Sequence, residues 1–303
     1  MSPTASANPN LFAAEPLDRA SMKRTDTAWI KAKLDDPDSV MIPLWQGDPL
    51  VADRKAAWLS VAARSEFGAA DIVFLGLKGE RAHFAINASA AAQPETAPFA
   101  DIGTYTPLRE AAGMVDPDDV SIIGQGRWLF DWHARNGHCA NCGSPTNAGE
   151  AGAKRICPAC GTEHFPRTEP VAIVLATHED ACLLGRGPHF PPGFLSALAG
   201  FVEAAETPEE CAVRELYEEA GVTITDVSYQ FSQPWPFPAS MMMGFLATAK
   251  DRELTLDVTE IEEARWVEKP EIIALLNGEE REDLMVPPNF TIARQLIEQW
   301  AKA

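Results

Sequence analysis

The 23-residue window Gly200–Val222 constrains the fold of this chain more than any other stretch of its sequence. Inside it, Thr207 suits a helix N-cap, Pro208 suits the first helical position and Glu210 completes a capping box. Gly221 suits the left-handed residue that ends many helices. The window therefore predicts a short helix with a defined start and a defined end.

This predicted helix gathers acidic side chains on one face. Glu215, Glu218 and Glu219 stand at positions i, i+3 and i+4, so their carboxylates are neighbours. Like charges at this spacing cost roughly 0.2–0.5 kcal/mol each in an isolated helix. A divalent cation such as Mg²⁺ or Mn²⁺ would reverse that sign, because these ions take oxygen ligands and bridge to phosphate oxygens. The alternative is a solvated acidic face without special function.

Four cysteines form two closely spaced pairs. Cys139 and Cys142 make one pair, Cys157 and Cys160 the other, and a glycine directly follows each pair. In an intracellular chain such knuckles indicate a zinc site rather than disulfides, and four thiolates leave no open coordination position. The pattern predicts structural Zn²⁺; the alternative is two redox-active pairs.

Composition limits the possible partners. The chain has 303 residues, of which 46% are hydrophobic, and a net charge of −19. That acidity disfavours non-specific binding of nucleic acid, which depends on Lys and Arg neutralising phosphates. No apolar run is long enough to span a membrane and the N-terminus lacks a secretory pattern, so we expect a cytoplasmic protein with no membrane partner.

The order of hydrophobic patterns predicts an α/β (α+β) chain. We expect a flexible N-terminus over 1–20, a small α+β domain over 21–133, a zinc ribbon over 134–166 and a larger domain over 167–303. The order of elements in that larger domain matches a fold with a mixed β-sheet between helices, which the family resemblance given below implies. The expected N-terminal elements are a hairpin (71–77 with 81–87) and helices over 108–114 and 120–135. The expected C-terminal elements are strands over 171–177, 181–185, 196–199, 227–231, 241–248 and 263–267, then a helix over 291–300.

A proline–aromatic array follows the acidic helix. Its sequence, Ser232–Ser240, is SQPWPFPAS. Each proline fixes its own φ and favours an extended residue before it, so the array should be stiff. It could form a preorganised wall for a planar heterocycle. Alternatively, Trp235 and Phe237 could simply be packed in the core.

Taken together, these motifs resemble those of a known family. The window resembles the Nudix box, G-x5-E-x7-R-E-U-x-E-E-x-G-U, at every fixed position. The array resembles the SQPWPFPxS segment of NADH pyrophosphatases, which also place a zinc ribbon before a Nudix fold. The resemblance implies Mg²⁺- or Mn²⁺-dependent cleavage of NADH or NAD⁺ into nicotinamide mononucleotide and AMP by a homodimer. Bacterial members of this family also remove NAD caps from RNA.

The resemblance also implies roles for particular residues. The implied catalytic residues are Glu206, Arg214, Glu215, Glu218, Glu219 and Glu260, with Glu263 as the near alternative to Glu260. The implied ligands of Mg²⁺ or Mn²⁺ are Glu215, Glu219, Glu260 and the carbonyl of Ala199. The implied substrate contacts are Phe165, Phe201, Gln233, Pro234, Trp235, Pro236, Phe237, Pro238, Ala239, Ser240, Ala293 and, from the N-terminal domain, Arg109. The proton acceptor could be Glu218 or Glu260.

Two other functions remain open from the sequence. The chain could hydrolyse a different nucleoside diphosphate derivative, such as ADP-ribose, or it could be a non-catalytic nucleotide-sensing module. The proline–aromatic array argues against the first, and the complete set of box carboxylates argues against the second.

Overall fold

The computed structural model of this protein describes residues 10–14 and 16–303. The described chain divides into two compact units. The C-terminal unit contains residues 10–13, 168–235 and 240–303, and the N-terminal unit contains the rest. The flexible stretch predicted over 1–20 falls partly on residues 1–9 and 15, which lie outside the described residues.

The N-terminal unit is built on a seven-stranded sheet of order β3-β2-β1-β6-β5, with β4 paired to β1 and β7 paired to β2. Its strands are β1 (Val40–Trp45), β2 (Asp48–Ala52), β3 (Lys55–Ala56), β4 (Leu59–Ser60), β5 (Ile72–Lys78), β6 (Arg81–Asn87) and β7 (Thr104–Tyr105). Its helices are α1 (Thr27–Asp35), α2 (Leu108–Ala111) and α3 (Pro117–Arg135), with 3₁₀ turns at Ser21–Lys23, Val61–Phe67, Pro94–Thr96 and Glu150–Gly152.

Three sequence predictions in this unit can be compared directly with the structure. The predicted hairpin is present as β5 and β6, which pair antiparallel. The helix predicted over 108–114 ends at Ala111, near Gly113, a residue with low helix propensity. Helix α3 begins three residues earlier than predicted, because Asp116 accepts a hydrogen bond from the Asp118 N–H and Pro117 occupies the first turn.

The cysteine-rich segment belongs to the N-terminal unit and forms its own three-stranded sheet, of order β10-β9-β8. Its strands are β8 (Asn147–Gly149), β9 (Lys154–Ile156) and β10 (Glu163–His164).

The C-terminal unit has a six-stranded mixed sheet of order β14-β15-β11-β12-β16, with β13 paired to β11. Only β11 and β15 pair in parallel; the other pairs are antiparallel. The strands are β11 (Glu169–His178), β12 (Ala181–Arg186), β13 (Leu198–Phe201), β14 (Ile224–Trp235), β15 (Ser240–Ala249) and β16 (Glu263–Glu268), and the helices are α4 (Pro208–Ala220), α5 (Lys269–Leu276) and α6 (Ile292–Lys302).

The alternation of side chains along β11 explains the layered core of this unit. Val174 belongs to one buried cluster with Leu216 of α4, whereas Ile173 belongs to another with Leu296 of α6. Because successive side chains of a strand face opposite sides, one strand can support a helix on each face. The predicted mixed sheet between helices is therefore confirmed. No helix within the described part of the chain is both long and apolar enough to cross a membrane.

Candidate active site

The acidic helix of the sequence window is α4, and its ends form as the sequence predicts. Thr207 Oγ1 accepts a hydrogen bond from the Glu210 N–H at 3.2 Å, and Glu210 Oε2 accepts one from the Thr207 N–H at 2.8 Å. Gly221 follows the helix with φ of 72°, the left-handed conformation that favours glycine. These caps set where α4 begins and ends, and so which side chains face the sheet.

Gly200 gives Glu215 the space it occupies. Gly200 pairs with Ala172 in the sheet, and an ideal Cβ on it would lie 1.8 Å from the carboxyl carbon of Glu215. Any side chain at position 200 would therefore displace the carboxylate. The first fixed residue of the window and a glutamate fifteen positions later thus meet because α4 packs over β13.

Arg214 organises the carboxylates around it. Its Nε donates to Glu206 at 2.7 Å, and one terminal nitrogen donates to Glu215 at 2.8 Å and to Glu218 at 3.0 Å. The other terminal nitrogen donates to the carbonyl of Phe201 at 3.0 Å and again to Glu206 at 2.8 Å. These contacts raise the pKa of Arg214, and the hydrogen bond from Arg214 lowers the pKa of Glu206 to about 2. Arg214 is thus a rigid fork that spaces three glutamates.

Glu219 is the carboxylate left without such support. It is 7% exposed, and its Oε2 is buried without a hydrogen-bond partner among the described residues. Burial, then the charges of Glu215, Glu260 and Glu218, raise its pKa to about 8. Burial likewise raises the pKa of Glu215. A buried acidic oxygen with no donor is a costly arrangement that a divalent cation would relieve, so the residues present fit such an ion.

The last turn of α4 holds the loop that brings Glu260 to this cluster. Asp257 donates its N–H to the carbonyl of Glu219 at 3.0 Å, and Glu260 donates its N–H to the carbonyl of Asp257 at 3.1 Å. Glu260 therefore follows a turn fixed on the helix end and contributes charge to the Glu219 environment. Sequence reasoning missed Asp257; its signal is the Asp-x-Thr pattern, in which Asp257 Oδ1 accepts from the Thr259 N–H at 2.9 Å.

Glu263, the near alternative to Glu260, has a different partner. It lies at the start of β16, and its carboxylate pairs with Arg186 at 3.1 Å. Ala199, whose carbonyl was an implied ligand, is in β13 opposite Ile173 and directly before Gly200. The structure thus brings together Glu206, Arg214, Glu215, Glu218, Glu219, Glu260 and Ala199 in one region of the C-terminal unit, and keeps Glu263 with Arg186.

The proline–aromatic array forms a hairpin. Ser232–Trp235 end β14, Ser240 begins β15, and Pro236–Ala239 connect them, with a cis peptide bond before Pro238. Within the array, Gln233, Pro236, Ala239 and Ser240 are buried, whereas Pro234, Trp235, Phe237 and Pro238 are half-buried. The array is therefore partly a core element and partly a surface.

Two arginines of the N-terminal unit flank the ring of Phe237. The guanidinium carbon of Arg109 lies 4.6 Å from the ring centroid and that of Arg127 lies 5.0 Å from it. Arg127 also donates to the carbonyl of Pro236 at 2.9 Å and to Asp48 at 2.8 Å. Sequence reasoning identified Arg109 but not Arg127, because a single arginine within α3 has no local signal that separates it from a solvated charge.

Three other predicted substrate contacts differ in exposure. Phe165 and Phe201 are each 59% exposed, so both rings have surface available to a ligand. Phe201 lies at the end of β13, beside the carboxylate cluster through its carbonyl bond to Arg214. Ala293 is only 4% exposed and packs in the core around α6, so it has little surface to offer a ligand.

The four cysteines converge as the sequence predicts. The sulfur atoms of Cys139, Cys142, Cys157 and Cys160 all lie within 4.8 Å of one another, and no other such group of His, Cys, Asp or Glu was found in the described chain. In each knuckle the glycine N–H donates to the carbonyl of the first cysteine, at 2.8 Å for Gly143 and 2.9 Å for Gly161. This geometry suits tetrahedral zinc with all positions filled by protein.

Family comparisons cover most of the chain. The NUDIX domain model matches residues 166–287. The NADH pyrophosphatase zinc ribbon domain matches residues 134–165, and the NADH pyrophosphatase-like rudimentary NUDIX domain matches residues 38–132. The chain therefore belongs to the NADH pyrophosphatase family of Nudix hydrolases, with a zinc ribbon between two Nudix-type domains.

Comparison with individual proteins supports the same family assignment. The human NAD-capped RNA hydrolase NUDT12 is 32% identical over 97% of this chain and 73% of its own. The NAD-capped RNA hydrolase NudC of Mycobacterium bovis (strain BCG / Pasteur 1173P2) is 35% identical over 94% of this chain and 92% of its own. The mouse mitochondrial NAD(P)H pyrophosphatase NUDT13 is 34% identical over 75% of this chain and 66% of its own.

Proposed function

We propose that this chain hydrolyses the pyrophosphate bond of NADH and NAD⁺, giving nicotinamide mononucleotide (oxidised or reduced) and AMP. The observation that carries the proposal is the buried Glu219 carboxylate, with an unpartnered oxygen and a pKa raised to about 8, beside Glu215 and Glu260. Such a cluster is unfavourable for folding alone and favourable for holding a cation against phosphate.

The proposed catalytic ion is Mg²⁺ or Mn²⁺, held by Glu215, Glu219, Glu260 and the carbonyl of Ala199. When bound, it neutralises pyrophosphate oxygens and acidifies a water molecule. Carboxylate and carbonyl oxygens are the donors these ions prefer. Arg214 would keep Glu206, Glu215 and Glu218 at fixed distances. The oxygens of Glu215, Glu219 and Glu260 do not all lie within 4.8 Å of one another in this structure, so holding the ion would require side-chain movement.

Among the candidate proton acceptors, we propose Glu260. Glu218 is engaged by Arg214 at 3.0 Å, so its carboxylate already has a cationic partner. Glu260 is exposed, and among the described residues it has no ion pair within 4.0 Å. An exposed carboxylate beside the ion can also accept the proton of the attacking water.

The proposed substrate contacts are aromatic and cationic. Phe201 and Phe165 present exposed rings, on which a nicotinamide or adenine ring can stack. Phe237, with Arg109 beside it, and Trp235 are the proposed contacts from the array. In contrast, the buried Gln233 and Ala293 offer a ligand little surface, so we assign neither a direct contact.

A second candidate substrate is NAD-capped RNA. It is favoured by the names of the relatives that cover nearly the whole chain, NUDT12 and NudC. The scissile bond would be the same pyrophosphate. We further propose a homodimer, as the family resemblance implies, and a cytoplasmic location.

Product analysis tests this function. NADH, ADP-ribose and NAD-capped RNA are compared at equal enzyme with Mg²⁺ or Mn²⁺, and the products are separated by chromatography. We expect reduced nicotinamide mononucleotide and AMP from NADH, with slower cleavage of ADP-ribose. Free nicotinamide with ADP-ribose would contradict the proposal, and faster cleavage of ADP-ribose would favour the alternative diphosphatase.

A further inference from the structure

The side chain of Gln233 is fully committed to the protein. It is 0% exposed, and its Nε2 donates to the carbonyl of Leu11 at 2.9 Å and to that of Phe290 at 2.8 Å. Its Oε1 accepts the N–H of Ile292, the first residue of α6, at 2.8 Å. Because a primary amide has two N–H donors, both are used. Gln233 therefore connects β14 to two other segments, one at Leu11 and one at the start of α6, and has no free amide hydrogen with which to contact a ligand.

One of those segments is the stretch Asn10–Ala13, which we call the strap. It belongs to the C-terminal unit although almost 160 residues separate it from β11. Asn10 Nδ2 donates to the carbonyl of Ser232 at 3.5 Å, and the Leu11 carbonyl accepts from Gln233. The strap thus follows the last residues of β14.

Phe12, also in the strap, contacts the side chain of Trp235 in the array. Its ring meets the Trp235 ring edge to face, with centroids 6.1 Å apart and planes at 89°. Phe12 is 5% exposed and has φ of 66°, a left-handed conformation that is unfavourable for a side chain of this size. The backbone accepts this conformation where the ring is buried against Trp235.

We propose that the strap positions the end of β14, which carries Trp235. In this role Phe12 orients the Trp235 ring, and Gln233 holds β14 to the strap and to α6. Prolines on both sides of Trp235 restrict its backbone, so its side-chain torsions are the main freedom left to restrict. Fixing them before binding lowers the entropy cost of binding. The inference rests on the proposed function only in taking Trp235 as a substrate contact.

The test compares Phe12→Ala with Leu17→Ala. Both side chains are 5% exposed and lie near the N-terminus, but Leu17 belongs to the N-terminal unit, where it packs beside Gly76. Loss of an aromatic pair and its preorganisation should raise KM for NADH about three- to tenfold in Phe12→Ala, with kcat changed less than about twofold. Leu17→Ala should leave KM unchanged at a similar loss of Tm. Phe12→Leu, which keeps most of the apolar volume, should fall between wild type and Phe12→Ala and serves if the alanine variant does not fold.

Amide hydrogen exchange supplies a readout that needs no substrate. Exchange across residues 230–240 should accelerate in Phe12→Ala and not in Leu17→Ala. Unchanged exchange in that segment would show that the strap does not order the end of β14. Faster exchange with an unchanged KM would show that this ordering does not help to bind NADH. If wild type does not cleave NADH, the proposed function fails, while the exchange comparison still decides whether the strap orders the strand.

Discussion

At the scale of single residues, the site balances one arginine against a surplus of carboxylates. Arg214 compensates Glu206, Glu215 and Glu218 at distances of 2.7–3.0 Å. Glu219 is buried beside them, and no described residue donates a hydrogen bond to its Oε2. The pKa of Glu219 is raised to about 8, whereas that of Glu206 is lowered to about 2. The helix thus stabilises some of its acidic side chains and leaves one in a state that only a proton or a cation can satisfy.

Glu219→Gln should remove most of the turnover and leave the fold intact. The amide is nearly isosteric but cannot supply the charge that a hard cation requires, so a loss of about 100-fold or more in kcat is expected. The measurement is NADH hydrolysis at saturating Mg²⁺. Glu209→Gln, an exposed change in the first turn of the same helix, is the matched control and should keep wild-type activity. Equal rates for Glu219→Gln and wild type would remove Glu219 from the site.

The raised pKa of Glu219 predicts a pH dependence of stability and of metal binding. Folding raises this pKa from 4.5 to about 8, so the folded chain holds the proton more tightly than the unfolded chain. The metal-free protein should therefore lose stability as the pH rises between these values, and a cation must displace that proton at lower pH. The gain in Tm from Mg²⁺ should be larger at pH 9 than at pH 6 (about one unit above and about two units below the shifted pKa).

Thermal unfolding with and without Mg²⁺ across this range measures the effect, and calorimetry in two buffers counts the released protons. In Glu219→Gln the pH dependence between these values should flatten. A wild-type metal effect that is independent of pH would contradict the assignment.

At the scale of elements, two parts of the N-terminal unit hold segments in place. Arg127 of α3 contacts the connection Pro236–Ala239 by donating a hydrogen bond to the Pro236 carbonyl and by lying over the Phe237 ring. In the zinc ribbon, the four cysteine sulfur atoms of the two knuckles converge, and each knuckle is closed by a backbone hydrogen bond donated by its glycine, Gly143 or Gly161. In both cases a short segment without strand or helix geometry is ordered by a few directional contacts.

Arg127→Met should weaken the binding of NADH more than it slows catalysis. Methionine keeps part of the apolar stem but loses the bonds to Pro236 and Asp48 and the cation over Phe237. An increase of about tenfold in KM is expected, since hydrogen bonds involving a charged group contribute about 1.5–3 kcal/mol. Arg135→Met is the control, because Arg135 lies on the same helix and pairs only with Asp131 at the surface. If both variants change KM equally, the contact with Phe237 has no special role.

The ribbon should contain one tightly held Zn²⁺ that acts on stability and not on chemistry. Four thiolates leave no coordination position for substrate or water, and loss of a structural metal removes folding free energy. Elemental analysis should find about one zinc per chain. Cys157→Ser should lower Tm and yield while the ratio of rates on NADH and ADP-ribose stays the same. A soluble and fully active variant lacking all four thiols would contradict a structural role.

At the scale of the whole molecule, the chain carries two Nudix-type domains, and the proposed catalytic residues lie in the second of them. Both sheets contain a parallel pair, β1 with β6 and β11 with β15. The main helix of the N-terminal domain, α3, contains no glutamate, whereas α4 contains five. Among its described helices the N-terminal domain therefore has no counterpart of the glutamate-rich α4, which fits its match to a rudimentary NUDIX domain.

The net charge of −19 predicts how cleavage of NAD-capped RNA should respond to salt. Salt weakens protein–RNA binding in proportion to the number of phosphates that cations of the protein neutralise. Because 25 Lys and Arg are outnumbered by 44 Asp and Glu, we expect a shallow dependence of the rate on salt between about 50 and 200 mM. The measurement is decapping at several KCl concentrations, with free NADH as control. A steep loss for RNA alone would reveal a local basic groove.

The sequence by itself determined the features that depend on local spacing. The caps of α4, the shared face of Glu215, Glu218 and Glu219, and the two cysteine knuckles all follow from residues a few positions apart. Such short-range patterns can be recognised in the sequence because the backbone geometry of one helix or turn brings these residues together. For the same reason the sequence predicted the order of strands and helices better than the exact ends, as the early start of α3 shows.

The tertiary structure alone decided which distant residues meet. It placed Glu260 rather than Glu263 beside the cluster, because Asp257 bonds to the end of α4 and Arg186 engages Glu263. It also buried Gln233 under the strap, a contact across 222 residues. Whether a polar side chain faces solvent, a ligand or the interior depends on partners from far along the chain, and no local pattern encodes them.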